Sequence, residues 1–326
     1  MKLNGKVILT GASGFVGGQL RERLTKDGAE VITLRRKASK PGQGRSLEVE
    51  YDDLPALEKI LADEKPDYLF HVAGATKGIT YEDFQRANVM PTRHLLHAAE
   101  KHPGLKRFVY VSSLTALGPN EPGRPHTESS ERKPIEFYGQ SKAEAEQVVE
   151  SFTGKVKWTT VRPGGVFGPG DVDYFNLFKE VSKGRNVYFG NRRKEFSAVY
   201  VDDLIDAILL SAERDEAVGK TFILGWEEPQ TWEAFQTVLV EKSGRKAMTL
   251  DLPEFFVDVA AFFGELATRI DNKPRLFNKQ KAKMGAQQSW VGTSEAAKRH
   301  LGWEPKLTVP DAIARTFSWY RENKWL

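Results

Sequence analysis

The sequence predicts an α/β fold built on a doubly wound parallel sheet, with a smaller part interleaved toward the C-terminus. In the first half of the chain, short apolar runs rich in β-branched residues alternate with amphipathic segments of helical period. Strand, helix and strand repeat at about 30 residues, the length of a right-handed βαβ crossover. The 326 residues have room for one large α/β unit or two domains.

The strands and helices of the first half follow in alternation. Each predicted strand is a short apolar run, as expected where a parallel sheet is buried on both faces, and the runs cover residues 7–9, 31–34, 68–70, 108–111 and 159–161. The predicted helices place apolar residues on one face and cover residues 15–27, 54–63, 83–101 and 138–153.

After Pro163 the alternation loosens. Residues 164–171 and 184–194 are rich in glycine or charge and are predicted as loops. Strands are predicted at 198–201 and 222–224, and helices at 204–213, 232–243, 253–270 and 309–323. We expect the aromatic residues of 255–263 to lie in the core, and cover of a lipophilic substrate is the alternative.

Composition excludes several classes of protein. The 48 Lys or Arg and 44 Asp or Glu are mixed along the chain, so the net charge of +4 forms no basic block and nucleic acid is not an expected partner. The absence of Cys excludes disulfides and thiolate metal sites, and the six His are scattered, so no metal site is expected. No charged-then-apolar leader precedes the first strand, and Asp258 interrupts the longest apolar run. We therefore expect a cytoplasmic protein with no integral membrane segment.

A glycine loop follows the first strand and opens the first helix. Gly11 permits a tight turn, Gly14 lets the backbone approach a pyrophosphate, and Gly17 lets the helix pack on the strand. The pattern predicts a Rossmann-type dinucleotide-binding domain at 1–165, to which 195–225 return, and a substrate-binding part at 166–194 and 226–326. The other loop residues predicted to bind the cofactor are Thr10, Ser13, Phe15 and Val16.

The end of the second strand indicates which cofactor binds. A carboxylate there would bond the ribose 2′-hydroxyl of NAD, but this chain has Arg35 and Arg36. Two guanidinium groups suit a 2′-phosphate, so the sequence predicts NADP(H) in preference to NAD(H). A solvated basic turn is the alternative.

Five segments together resemble the extended short-chain dehydrogenase/reductase family, in the superfamily of NAD-dependent epimerases and dehydratases. They are the glycine loop at 10–17, Phe-His-Val-Ala-Gly at 70–74, Val-Ser-Ser at 111–113, Tyr-x-x-x-Lys at 138–142 and the glycine-rich segment at 162–170. The resemblance implies contact with the cofactor at Ala73, Gly74, Pro163, Gly165 and Val166, and near adenine at Glu50 and Tyr51. We also expect a small-molecule substrate and a homodimer.

Four residues are predicted to carry the chemistry. Tyr138 and Lys142 are four apart on one helix and share a face, so the ammonium group is expected to lower the pKa of the phenol and to bond the nicotinamide ribose. Ser113, with Ser112 as the register alternative, is expected to orient a substrate carbonyl at a strand's carboxyl end. The resemblance assigns Asn88 to a water-linked proton path.

Smaller predictions concern four further positions. Asp53 is expected to cap the next helix, and Thr115 to donate toward Ser113. His71 is expected to be a packed strand residue. Lys77 either lines the substrate mouth or is a plain loop residue.

Three functions compete at this stage. The first is an NADP-dependent reductase or dehydrogenase for a ketone, aldehyde or secondary alcohol, similar to dihydroflavonol reductases and 3β-hydroxysteroid dehydrogenases. The second is a sugar-nucleotide epimerase or dehydratase, which usually has an arginine where this chain has Phe196, although Arg192 and Arg193 are near. The apolar helix, residues 273–276 and Trp290 favour the first. The third is a non-enzymatic NADP sensor, which the Tyr-Lys pair disfavours.

Overall fold

A seven-stranded parallel sheet forms the centre of the protein. The structure is a computed structural model and describes residues 2–39, 43–271 and 278–326, without the side chains of 269 and 270. The strands of this sheet are β1 (Lys6–Thr10), β2 (Glu30–Arg35), β3 (Arg45–Glu48), β4 (Tyr68–His71), β5 (Arg107–Val111), β6 (Trp158–Pro163) and β11 (Lys220–Leu224). Their spatial order is β11-β6-β5-β4-β1-β2-β3, and every pairing is parallel.

Helices cover both faces of this sheet because alternate strand residues point to opposite sides. Val7 and Leu9 of β1 pack on one side and Ile8 on the other. The first side is covered by α1 (Phe15–Asp27), α7 (Val201–Glu213) and α11 (Glu295–Leu301). The second side is covered by α2 (Leu54–Glu64), α4 (Met90–Glu100) and α5 (Phe137–Glu150).

A smaller part lies beyond the carboxyl ends of the strands and has an aromatic core. Its helices are α6 (Phe175–Ser182), α8 (Trp232–Ser243), α9 (Phe255–Asp271), α10 (Lys279–Gly285) and α12 (Val309–Glu322). Its short strands are β7 (Gly165–Phe167), β8 (Arg185–Phe189), β9 (Glu195–Phe196), β10 (Ala198–Tyr200), β12 (Gln230–Thr231), β13 (Met248–Leu252) and β14 (Ser289–Trp290). Phe178, Phe235 and Phe317 are buried at the centre of this core.

Several predicted boundaries agree with the structure. The helices predicted at 15–27 and 232–243 are α1 and α8, and Gly28 ends α1 in the left-handed region at φ 97°. The Asp53 side chain accepts a hydrogen bond from the Ala56 amide and caps α2, as predicted. His71 is fully buried, also as predicted.

Other predictions about local structure are wrong. The predicted loop at 184–194 contains β8, which pairs with β13, and the predicted loop at 164–171 contains β7. The predicted strand at 198–201 ends at Tyr200, and Val201 already begins α7. The predicted helix at 83–101 begins earlier, with α3 (Tyr81–Phe84), and contains a π-turn at Gln85–Val89. The short strands form only because a distant segment supplies their backbone partners.

The aromatic residues of α9 also differ from the expectation. The side chains of Phe255 and Phe262 are 58% exposed and are not in the core. No helix among the described residues is both long enough and apolar enough to cross a membrane. Residues 273–276, which favoured a reductase or dehydrogenase in the sequence, lie outside the described residues.

Candidate active site

A cavity of about 990 Å³ opens at the carboxyl ends of the central strands. In open α/β sheets this edge is where ligands bind. Of the predicted site residues, all but two line it: Gly11, Ser13, Gly14, Phe15, Val16, Gly17, Arg35, Arg36, Glu50, Tyr51, Ala73, Gly74, Ser113, Tyr138, Lys142, Pro163, Gly165 and Val166. Thr10 and Asn88 lie behind the lining, where they hold the backbone amides of Ala73 and Ala75 at 3.1 and 2.7 Å.

The glycine loop has the geometry of a phosphate cradle. Gly11 has φ 79°, and a Cβ there would lie 2.6 Å from the Ala73 amide nitrogen. A Cβ on Gly17 would overlap the Gly11 carbonyl, so larger residues at these two positions would push the helix off the strand. No side chain caps the N-terminus of α1 at Gly14. Its first amides therefore suit an anionic group in the cavity, and the loop fits a dinucleotide pyrophosphate.

The two arginines after β2 differ in their surroundings. Arg35 Nη1 lies 2.8 Å from Glu48, and its Nε is buried without a hydrogen-bond partner. Arg36 is exposed on the cavity wall and forms no ion pair within the described residues. Glu50 accepts a hydrogen bond from the Lys37 amide at 3.1 Å. The Nε donor of Arg35, which has no partner, and the unpaired guanidinium group of Arg36 would both suit a 2′-phosphate at this end of the cavity.

Ser113 and Tyr138 meet on the cavity wall. The Ser113 hydroxyl oxygen accepts hydrogen bonds from the Thr115 hydroxyl at 2.9 Å and from the Thr115 amide at 3.2 Å. Ser113 can therefore direct its own proton toward the neighbouring Tyr138, whose pKa it lowers. The register alternative, Ser112, instead donates to the buried Glu146 carboxylate at 2.5 Å.

The pKa of Tyr138 differs from the sequence-based expectation. Burial raises it to about 12, the charges of Glu136 and Asp173 also raise it, and only the Ser113 hydrogen bond lowers it. The expected lowering by Lys142 is absent because the Lys142 ammonium donates to the Val111 carbonyl at 2.8 Å and lies 6.0 Å from the Tyr138 ring centre. Tyr138 is therefore protonated at neutral pH.

Lys142 is buried among few polar partners. Burial lowers its pKa to about 8, against the opposing charge of Glu146 one helical turn away. A Cβ on Gly74 would lie 3.3 Å from Lys142 Nζ and 3.1 Å from Asn88 Oδ1, so glycine at this position lets both side chains approach the loop after β4.

Asn88 joins three segments around the site. It lies in the π-turn at 85–89, a feature frequent at functional sites. Its Nδ2 donates to the Ser141 hydroxyl at 2.8 Å and to the Ala75 carbonyl at 3.1 Å. Because Oδ1 also accepts from the Ala75 amide, the side chain fixes the loop after β4 against helix α5.

Sequence reasoning missed a buried ion network beneath the site. Glu146 accepts from Arg162 Nε and Nη2 at 2.9 and 2.7 Å, and from Arg132 Nε at 2.7 Å. Glu146 is four residues after Lys142 and lies on the same face of the helix. This spacing could have indicated that the carboxylate lies close to the site. Glu136 was also missed, and its carboxylate accepts from the Tyr138 and Gly139 amides at the start of α5.

The cavity end beyond Tyr138 is lined by residues 171–174, which sequence reasoning did not single out. Burial raises the pKa of Asp171 to about 6, and its carboxylate accepts from the Asp173 and Tyr174 amides at 2.9 and 2.8 Å. Val172 is 58% exposed. This end therefore combines carboxylates with an apolar side chain.

Of the three positions considered for binding a sugar diphosphate, Phe196 and Arg192 are engaged elsewhere, and Arg193 is exposed without an ion pair among the described residues. Phe196 is buried and stacks on Trp232, with ring centres 4.3 Å apart. Arg192 forms an ion pair with Asp251 and lies over the Tyr188 ring. Neither residue lines the cavity.

Replacing Lys142 with Met is expected to stabilise the cofactor-free protein by about 1–2 kcal/mol at pH 7. The pKa of Lys142 is lowered from 10.5 to about 8, so burying its charge costs about 3 kcal/mol, which the Met variant avoids. The variant also loses the hydrogen bond to the Val111 carbonyl, which reduces the gain by about 1 kcal/mol. The penalty is complete below pH 8 and vanishes above 10.5, so the gain should shrink over that range. Urea unfolding at several pH values measures it.

Lys194→Met is the matched control. Lys194 is equally buried but is paired with Glu254 at 2.6 Å, so its removal should destabilise the fold. Equal destabilisation by both substitutions would contradict the account of Lys142.

Comparison with known proteins agrees with this geometry. The family model described as "NAD dependent epimerase/dehydratase family" matches residues 7–225. The chain belongs to this family. The sequence-based resemblance to extended short-chain dehydrogenases/reductases is thereby confirmed, and solved structures with the same fold contain NAD.

Relatives of this family member include reductases and dehydrogenases. The chain is 27% identical to a ceramide reductase of Caulobacter vibrioides, over 99% of this chain and 96% of that one. It is 28% identical to a 3-beta-hydroxysteroid dehydrogenase of Mycolicibacterium neoaurum, over 98% and 92%. Among solved structures, a UDP-glucose 4-epimerase of Thermotoga maritima superposes with a TM-score of 0.81, at 23% identity over 98% and 99% of the two chains, a likeness of fold.

Proposed function

We propose that this protein is an NADP(H)-dependent oxidoreductase that transfers hydride between the nicotinamide and a ketone, aldehyde or secondary alcohol. The observation that carries the proposal is that Ser113, Tyr138 and Lys142 line the same cavity as the glycine loop and Arg36. Cofactor and reacting carbonyl would therefore share one cavity.

The residues of the chain would divide the work between binding and proton transfer. When bound, the cofactor supplies or accepts the hydride at its nicotinamide ring. The glycine loop would hold its pyrophosphate, Arg36 its 2′-phosphate, and Lys142 its nicotinamide ribose. Ser113 would donate a hydrogen bond to the substrate carbonyl oxygen, which fixes and polarises it.

Tyr138 would supply the proton in the reducing direction. As the carbonyl carbon gains hydride, its oxygen takes the phenolic proton and becomes the alcohol, which leaves a phenolate that solvent must reprotonate. A pKa of about 12 keeps the phenol protonated before the step, so its proton is available to the carbonyl oxygen at neutral pH. Asn88 would position the loop after β4, along which a proton from solvent would reach the phenolate.

The lining beyond Tyr138 supports a substrate without negative charge. Asp171 and Asp173 line that end, and a diphosphate would be repelled by both carboxylates. The described residues of the lining also include Arg86, whose guanidinium group is paired with Asp83 at 2.9 Å. The names of two relatives, a ceramide reductase and a 3-beta-hydroxysteroid dehydrogenase, agree with a lipophilic substrate. A sugar-nucleotide epimerase or dehydratase remains the alternative.

A panel of substrates tests the class. We expect NADPH oxidation with a 3-ketosteroid or with a long-chain amide that carries a ketone, and none with UDP-glucose, GDP-mannose or dTDP-glucose. A short-chain ketone is the control for size and should react poorly because it leaves the end lined by residues 171–174 unfilled. Interconversion of a sugar nucleotide by the purified protein would overturn the proposal.

A further inference from the structure

We propose that α9 forms a bilayer-docking face that rests on an anionic membrane surface. The apolar face consists of six α9 side chains, all between 38% and 61% exposed: Phe255, Phe256, Val259, Phe262, Phe263 and Leu266. At 100° per residue they occupy an arc of about 120° on one side of the helix. Monomeric soluble proteins rarely expose so much contiguous aromatic surface without a binding role.

The opposite side of α9 is the side that packs on the protein. Ala261 is buried, and Glu265 reaches back to α10, where it accepts from the Lys279 amide at 3.2 Å. Glu254, just before the helix, pairs with the buried Lys194. The helix is therefore fixed by its polar and small residues and presents its large apolar residues outward, the reverse of an ordinary surface helix.

The strand that leads into α9 exposes apolar residues as well. Met248 and Leu250 of β13 are 61% and 36% exposed. They lie on the face of the β13–β8 pair that also holds Phe189, which is 44% exposed. The opposite face of the pair binds Arg192 through Asp251 and Tyr188.

The charges around the apolar face favour an anionic bilayer as its occupant. Arg245 and Lys246 are exposed immediately before β13, and α10 contains three lysines and no acid. Arg245, Lys246 and Lys283 form no ion pair within the described residues. Aromatic residues bordered by unpaired cations are the pattern of helices that lie in the membrane interface.

A second copy of the chain fits these charges less well. A symmetric contact would place the same patch on both subunits and so bring the two sets of unpaired cations together. An anionic lipid surface would instead neutralise them. Of the acids near the face, Asp251, Glu254 and Glu265 are paired within the protein, and Asp258 of α9 is exposed without an ion pair among the described residues, one negative charge against the three unpaired cations.

The apolar face is linked to the catalytic helix through α10. Gln280 of α10 accepts from the Phe137 amide at 3.2 Å, one residue before Tyr138. Lys281 faces Glu136, the residue that caps α5. Docking would thus bring the substrate end of the protein close to a lipid surface, although membrane binding itself does not depend on the proposed function.

Vesicle sedimentation tests the proposal without any measurement of turnover. The purified protein is expected to sediment with phosphatidylcholine vesicles that contain phosphatidylglycerol, less with phosphatidylcholine alone, and less again at high salt. Val259→Asp, on the apolar face, is expected to weaken this binding about tenfold or more, since it places a charge in the lipid contact.

Val218→Asp is the matched control. Val218 is 36% exposed, against 38% for Val259, but lies just before β11, away from α9. It should sediment like the wild type, and circular dichroism and NADPH affinity should match for all three proteins. Absence of vesicle binding, or equal loss in both variants, would overturn the proposal. A further outcome would also overturn it: light scattering shows that the wild type is a dimer and that Val259→Asp is a monomer, and neither protein binds vesicles. A second copy of the chain would then cover the apolar face.

Discussion

Replacing Tyr138 with Phe is expected to lower kcat for ketone reduction by about 10²–10⁴-fold, with cofactor affinity unchanged. The substitution keeps the ring that packs in the cavity and removes only the hydroxyl, whose pKa the neighbouring Ser113 lowers. Because the lost proton transfer occurs in the transition state, the effect should appear in kcat and not in KM. Stopped-flow measurement of NADPH oxidation resolves the chemical step.

Tyr110→Phe is the matched control for this experiment. Tyr110 is also buried and its ring centre lies 4.9 Å from Lys142 Nζ, but it does not line the cavity. It should keep nearly all of the wild-type kcat. Ser113→Ala should lower kcat with normal cofactor binding. If Tyr138→Phe kept more than about a tenth of the activity, another residue would be the proton donor.

Replacing Arg36 with Ser is expected to weaken NADPH binding by about 10- to 150-fold and to leave NADH binding unchanged. A charge-assisted hydrogen bond to a phosphate is worth about 1.5–3 kcal/mol, and NADH lacks the phosphate. Arg36 is the better target because Arg35 is already paired with Glu48 at 2.8 Å. Titration calorimetry with both cofactors measures the two affinities.

Lys37→Ser serves as the control because it removes a neighbouring positive charge that does not line the cavity. Its effect on NADPH should be small and should disappear with added salt, since it acts only at long range. Equal weakening of NADPH and NADH by Arg36→Ser would contradict the assignment of the 2′-phosphate site.

The sequence predicted six of the seven strands of the central sheet because those strands carry their own signals, and it gave no bounds for the edge strand β3, which has no apolar run. Buried strands of a parallel sheet are uniformly apolar, and α1 is bounded by Gly14 and Gly28, which mark its ends without help from the rest of the fold. By contrast, β8 and β13 depend on each other across about 60 residues. Periodicity likewise predicted a helix at 253–270 but could not show that its aromatic residues face outward.

The candidate site was predictable wherever a motif specified a position. The structure brings Ser113, Tyr138 and Lys142 to one cavity wall, as the spacing and the resemblance implied. The direction of the Tyr138 pKa was not predictable, because burial and the charge of Asp173 depend on the fold. Asp171 and Asp173 were missed for the same reason, since no local pattern marks a loop acid as part of a cavity lining.

The most direct test of the account follows the hydride itself. NADPH carrying deuterium at the transferred position is incubated with the 3-ketosteroid, and the product alcohol is analysed by mass spectrometry. We expect one deuterium at the new carbinol carbon for each NADPH consumed, and no label transfer or NADPH consumption with UDP-glucose. Conversion of UDP-glucose to an isomer without net NADPH consumption, with the ketone left unreduced, would contradict it.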